Sequence, residues 1–482
     1  MKIVKKILLS LSAVAIISTT AIACKSTEKN PMDPNQMHDF PKPPDGNPPP
    51  GGPGAKGTPP EKPNGAHPGG FGGDGHANAD INYSASVEVT SKKTLKNETY
   101  SSTQSDQCAL LISTDQEVEI ENPTIVKTGS SFGGDSCNFY GLNAALLVKG
   151  GSTTTITGGT ITSDANGANG VFSYGGNRGM NGESGDGTSV IISNTKITTT
   201  GDGSGGIMTA GGGITKASNL EITTKGRSSA PIRSDRGGGL VTVDGGSYTS
   251  YGLGSPTIYS TADITVSNAT LVSHLSEGVC IEGKNSITLN NSNITANNTD
   301  CNSNAGFHDT IMIYQSMSGD ADSGTSCFTM NGGNLSSKNG HMFHVTNTNA
   351  IINLNGATLI NEDSSNILLS VCDDGWFGSS NIATLNASNQ KLEGTLLVGN
   401  NSTLTLNLTN NSTFKGNISG KITNAKGKKI SSKVGNVSVK IDSTSTWTLT
   451  GDTYISSLDG DLSQINTNGY KLYVNGKLIK SK

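Results

Sequence analysis

Short runs in which Ile, Val or Leu alternates with Thr or Ser break on one or two small polar residues and then resume. The clearest copies are VTVDGGSYT from Val241, ITVSNATLV from Ile264, ITLNNSNIT from Ile287 and INLNGATLI from Ile352. Alternation of this kind places every second side chain on one face of a strand. Asn, Gly and Asp at the breaks suit tight corners that need positive φ or a side-chain hydrogen bond. Each copy therefore reads as strand, corner, strand. Taking the residue before each polar break as an anchor gives Ile156, Ile192, Ala217, Val243, Val266, Leu289, Met330, Leu354 and Leu385, with Val243, Val266 and Leu289 at 23-residue intervals. A period of about 23 residues without helical periodicity is too short for a propeller blade and fits one coil of a parallel β-solenoid. The anchors should stack in one interior column, and Thr242, Thr265, Thr288 and Thr329 should form an outward ladder.

Another strand recurs once per coil, as LLVK, VFSY, GIMT, PIR, TIY, CIE, MIY and then FHV. Aligning these segments puts Tyr174, Thr209, Arg233, Tyr259, Glu282 and Tyr314 in one outward column, followed by His344 or Val345. The extra residues of the longer coils fall at one corner, in GGNRGMNGESGDGT, SDRGGG, QSMSGDADSGTS and CDDGWFGSS, which should wall the column.

Composition agrees with a thin core. Of 482 residues 63 are Gly, 32% are hydrophobic and only 5% aromatic. A net charge of −4 offers no basic face to nucleic acid and no polybasic membrane patch. At the N-terminus, Lys2, Lys5 and Lys6 precede a mostly apolar run and then Ala21-Ile22-Ala23-Cys24, so residues 1–23 read as a secretory signal. A small residue before Cys24 also fits a bacterial lipobox. Using Cys24 as a lipid anchor leaves six of the seven cysteines to pair in an exported protein. Cys108 and Cys137 are expected to form a disulfide near the N-terminal cap, where the core is least covered. Residues 24–80 are a tether holding 13 of the 16 prolines, and its His38, His67 and His76 are too irregularly spaced for a metal site. The solenoid spans 81–482, and Lys477, Lys480 and Lys482 at its end should oppose end-to-end stacking, leaving a monomer.

The stacked coils, with the tail STWTLTGDTYISSL and then NGYKLYVNG, resemble the right-handed parallel β-helix superfamily of pectate-lyase-like fold. Within it they are similar to anchored, adhesin-like or carbohydrate-binding lipoproteins of anaerobic bacteria. That resemblance implies an all-β, right-handed helix on the cell surface, with a polysaccharide or host glycan as partner. The residues point the same way. Tyr174, Tyr259, Tyr314 and Trp376 offer flat apolar faces, Arg233 a donor fork, and Glu282 and His344 hydrogen-bonding partners for hydroxyls. No cofactor is required for binding. The enzymatic alternative is a lyase or glycoside hydrolase acting on acidic polysaccharide. A lyase would use Arg233, Asp235 and Arg236, with Ca²⁺ held by Asp320, Asp322, Asp373 and Asp374. Asn298-Thr299-Asp300 echoes a polygalacturonase motif without the rest of that signature. A purely structural surface protein is the second alternative.

Overall fold

A computed structural model describes residues 81–480, apart from 132, 178–183 and 303. The signal segment, Cys24, the tether and the tip of the first insertion loop lie outside the described residues. No helix among those described is long and apolar enough to cross a membrane.

The chain winds as a parallel β-helix. One coil illustrates the rule: Val279–Glu282, Ser286–Asn290 and Asn293–Ala296 are three strands, each paired in parallel with its equivalent in the coils before and after. The first strands of the coils form a 13-stranded front sheet, and most of the second and third form a 22-stranded sheet that bends at the polar corner. That corner answers to the pattern of the sequence. Asn194, Asn219, Asn268 and Asn291 take φ of 52°, 50°, 55° and 46°, and Gly158 and Gly245 take the same place in their coils. Asn tolerates the left-handed region because its short amide hydrogen-bonds locally.

The interior column runs Leu95, Ile120, Ile156, Ile192, Ala217, Val243, Val266, Leu289, Met330, Leu354, each beside the next and all buried. Leu385 departs from it: Leu354 meets Ala387, and Leu385 lies against Ile352. The left-handed residue of that coil is Asn389, so Asn386 is a strand residue facing outward. It extends the Thr242–Thr265–Thr288–Thr329 ladder, which continues as Asn353, Asn386 and Asn407. Each of these amides donates to the preceding rung, at 3.0, 2.8 and 2.7 Å.

From Lys391 the third strand of each coil leaves the large sheet and joins a separate one, Lys391–Glu393, Thr413–Lys415, Thr446–Thr448 and Ile465–Asn466. At the end of the chain Lys477–Lys480 folds back antiparallel on Leu472–Val474, and Lys480 Nζ donates to the carbonyls of Leu462 and Ile465 at 2.6 Å each. Lys480 thus caps carbonyls of the final coil.

The outward face of the front sheet is covered, not bare. The short helix Asp135–Tyr140 lays Phe139 and Tyr140 over Phe172, Tyr174 and Met208. Farther along, Phe307 clusters with Cys372, Leu397 and Ile422 beneath the hairpin Ile422–Thr423/Lys429–Ser431. Cys108 and Cys137 do not pair. Both are buried free thiols turned to different partners, Cys108 toward the Gly141 carbonyl at 3.7 Å and Cys137 beside Ser131 and Gly167. Burial pushes them up to about 12 and about 11. Cys280, Cys301 and Cys372 are also free.

Candidate functional site

Two outward columns replace the single one expected. Arg233 lies beside Tyr259, then Cys280, Met312 and His344, whereas Glu282 lies beside Tyr314 and Thr346, two residues further along the strands. Thr209 belongs to neither, being paired with Ser173 and Ser234 and buried. The slip has a local cause. Ile232–Ser234 and Ile258–Ser260 end on serines that hold the following turn, Ser234 Oγ accepting from Thr261 N at 2.8 Å and Ser260 Oγ donating to the Ala262 carbonyl at 2.6 Å. Val279–Glu282 and Asp309–Tyr314 instead run on to a large polar residue.

The two columns converge at Glu282. Its carboxyl accepts from Tyr259 Oη at 2.5 Å, from Tyr314 Oη at 3.1 Å and from Ser316 Oγ. Glu282 is 1% exposed, and both tyrosines are half-buried at its rim. The Arg233 guanidinium lies over the Tyr259 ring at 5.7 Å, and Trp376 lies over Tyr314 at 5.0 Å, tilted by 58°. Arg233 also pairs with Asp235 at 2.8 Å and donates to Asn138 Oδ1 and the Ser228 carbonyl. Arg236 reaches across to Asp320 at 2.7 Å and rests on Phe139 at 4.2 Å. Both guanidinium groups are therefore balanced by carboxylates within the wall.

The remaining expected residues lie elsewhere. Tyr174 is buried against Tyr140, ring centroids 5.9 Å apart, in the N-terminal cluster. His344 is fully buried. Its Nδ1 is 2.7 Å from Ser370 Oγ, which also meets His341 Nδ1 at 2.8 Å, and its Nε2 faces Asp374 Oδ2 at 3.3 Å. The four carboxylates proposed for Ca²⁺ are dispersed. Asp320 pairs with Arg236, Asp322 with Lys284, Asp373 accepts from Asn381, and Asp374 faces His344. Among the described residues no three His, Cys, Asp or Glu side chains converge to hold a metal. Sequence reasoning missed Ser316, Ser370, Glu277 and Asp309. The first is one serine of QSMSGDADSGTS and the others sit in ordinary strand or turn contexts, so none carries a local signal.

The buried acids set a pH dependence. Burial pushes Glu277, Glu282 and Asp309 up, with Glu277 adding to the effect at Asp309, and takes Asp235 to about 7 against the pull of Arg233. The unfolded chain ionises these groups near pH 4 while the fold keeps their protons, so stability falls as pH rises from about 4 through the folded values. Glu393, lowered by Lys415, and Asp461, lowered by the Ser463 amide, act the other way and lose stability only below about pH 4. The melting temperature is expected to be highest near pH 4 and to decline by pH 8, and Asp309→Asn should shrink that decline. A melting temperature that is flat or rising from pH 5 to 8 would mean the buried carboxyls are ionised in the fold.

Fold and site together define a parallel β-helix whose front sheet carries a loop-walled aromatic and carboxyl cluster. No family model matches the chain, and no curated protein or solved structure is significantly similar to it.

Proposed function

We propose that the chain is a non-catalytic β-helix that binds polysaccharide at the rim formed by Tyr259, Tyr314 and the Trp376 loop, held at the cell surface by a lipid on Cys24. The observation that carries this reading is the shared anchoring of two half-buried tyrosines on Glu282, with Trp376 against Tyr314 and Phe377 73% exposed at the loop tip. Rings fixed by hydrogen-bonded phenols lose little freedom when a sugar stacks on them, which favours binding. The internal Arg233–Asp235 and Arg236–Asp320 pairs leave no surplus cation for a uronate, so the site favours neutral sugars.

One observation favours the enzymatic alternative. Asp235, held near 7, and Glu282, pushed up by burial, flank the site as two carboxyls of shifted acidity would in a lyase or hydrolase. Gel retardation on neutral and acidic polysaccharides, with analysis of the products, separates the readings. Retardation by a neutral polymer without product is expected. Unsaturated or shortened chains would establish the enzyme, and no retardation with no product would leave a structural role. Detergent-phase partition of Cys24→Ser checks the anchor separately.

A further inference from the structure

The net charge of the whole chain conceals a basic face. Five of the thirteen residues from Lys421 to Lys433 are lysine, and from Gly394 to Ile441 the sequence holds no Asp or Glu. Lys421, Lys426, Lys428, Lys429 and Lys433 are all exposed, and among the described residues none of them is in an ion pair. Lys92, Lys96, Lys196, Lys284, Lys338 and Lys415, by contrast, each meet a carboxylate. The five unpaired lysines ride on or beside the hairpin Ile422–Thr423/Lys429–Ser431, an insertion between the front strand Ile418–Ser419 and the strand Asn436–Ile441. Asn424 fixes its turn, Oδ1 accepting from the amides of Lys426 and Lys428 at 3.1 and 2.9 Å, with Gly427 at φ 76°. Ile422 packs with Phe307, and the Ala425 amide and Lys426 Nζ donate to the carbonyls of Gly306 and Ala305 at 2.9 Å each. The charges are therefore carried on a braced surface, which loses little freedom when a ligand docks.

The hairpin is a neighbour of the Trp376 loop. Both insertions leave the front sheet at the same corner, and they meet at Gly306, where an added Cβ would lie 2.5 Å from Asp374 Oδ1 and 2.8 Å from Asn424 Nδ2. We propose that the hairpin is a docking surface for an acidic polysaccharide, its lysines pairing with carboxylates along the polymer. The choice of a sugar polymer rests on the glycan reading of the adjacent rim, whereas the requirement for negative charge stands without it. Lysine ammonium groups are point charges lacking the fixed fork that selects one bidentate anion, which suits repeated, loosely spaced carboxylates. Residues 421–433 include no aromatic ring on which a nucleic-acid base could stack. They also expose no large apolar side chain that could enter a bilayer. At the rim the arginines are already neutralised by Asp235 and Asp320, so neutral sugar and acidic polymer fall to different surfaces of one face.

The test measures binding of the full chain to alginate, which should weaken roughly tenfold between about 50 and about 300 mM NaCl as the charges are screened. Lys428→Gln, Lys429→Gln and Lys433→Gln combined should weaken binding at low salt roughly tenfold, leaving the melting temperature and retention by neutral polysaccharide unchanged. Arginine at the same three positions should restore binding, since charge and not shape is required. Glu282→Ala should do the converse, losing the neutral polymer and keeping alginate, so the two surfaces fail separately. Wild-type binding to alginate but to no neutral polymer would remove the rim site and keep this one. No binding to alginate at low salt, unchanged binding by the triple glutamine variant, or tighter binding to phosphatidylglycerol vesicles or duplex DNA than to alginate would overturn the proposal.

Discussion

Trp447→Ala is expected to cost about 4 kcal/mol and to open the C-terminal coils while leaving the rest of the helix closed. Trp447 is 0% exposed in the inward column Leu392, Phe414, Trp447, Ile465. Its indole stacks on Phe414 at 5.6 Å and 21°, and Nε1 donates to the Gly416 carbonyl at 3.0 Å. Alanine would leave both a cavity and an unpaired buried carbonyl, two costs that add. Each coil touches only its neighbours, so amide exchange should accelerate from about Lys391 onward and hardly change around Tyr259. A loss below about 1 kcal/mol, or uniform acceleration along the whole chain, would contradict this description of the core.

Glu282→Ala should be nearly as damaging and, unlike Trp447→Ala, should also remove binding. Three hydroxyls, those of Tyr259, Tyr314 and Ser316, share this buried carboxyl and would lose their acceptor together. Unsatisfied buried donors cost roughly 1 to 3 kcal/mol each, and partial escape to water would bring the sum to about 3 kcal/mol. Freed phenols no longer fix the two rings, so glycan retention should fall at least tenfold. Glu282→Gln keeps the volume and one acceptor oxygen and should recover most of both. If alanine is tolerated within 1 kcal/mol and retention is unchanged, the cluster is scaffold. The hydrogen bonds also alter what a tyrosine truncation means. The sequence alone suggests that Tyr259→Ala with Tyr314→Ala would spare stability, since Ile258 and Ile313 hold the interior. With both phenols bonded to Glu282, that double variant should destabilise the fold.

Periodicity made the coil legible, and contacts between distant segments did not show in it. Val243, Val266 and Leu289 recur at a fixed interval, so their stacking follows from the inward face of a repeated strand. Leu385 was misplaced because Asn386 looks like a corner residue, yet here an outward asparagine ladder gives it a strand partner. Arg233 beside Tyr259, and Glu282 beside Tyr314, follow from the order of the coils. The two-residue offset between these pairs depends on where Ser234 and Ser260 turn the chain, which a count of residues does not reveal. Burial of Tyr174 and His344 depends on segments far away in the chain, the helix Asp135–Tyr140 over the first and Phe307 over the second. The same is true of Arg236 and Asp320, 84 residues apart. Whether an outward residue on a β-helix meets water or a loop is decided by such contacts.

The two tryptophans allow a direct test of the central claim. Trp447 is sealed in the core while Trp376 lies half-buried on the loop against Tyr314, so iodide should quench the fluorescence of Trp376 almost alone. Saturation with the neutral polysaccharide that retards the protein should cut that quenching by at least half. A polysaccharide that is retained while leaving Trp376 fully open to iodide would show that binding occurs elsewhere on the helix and would contradict the site.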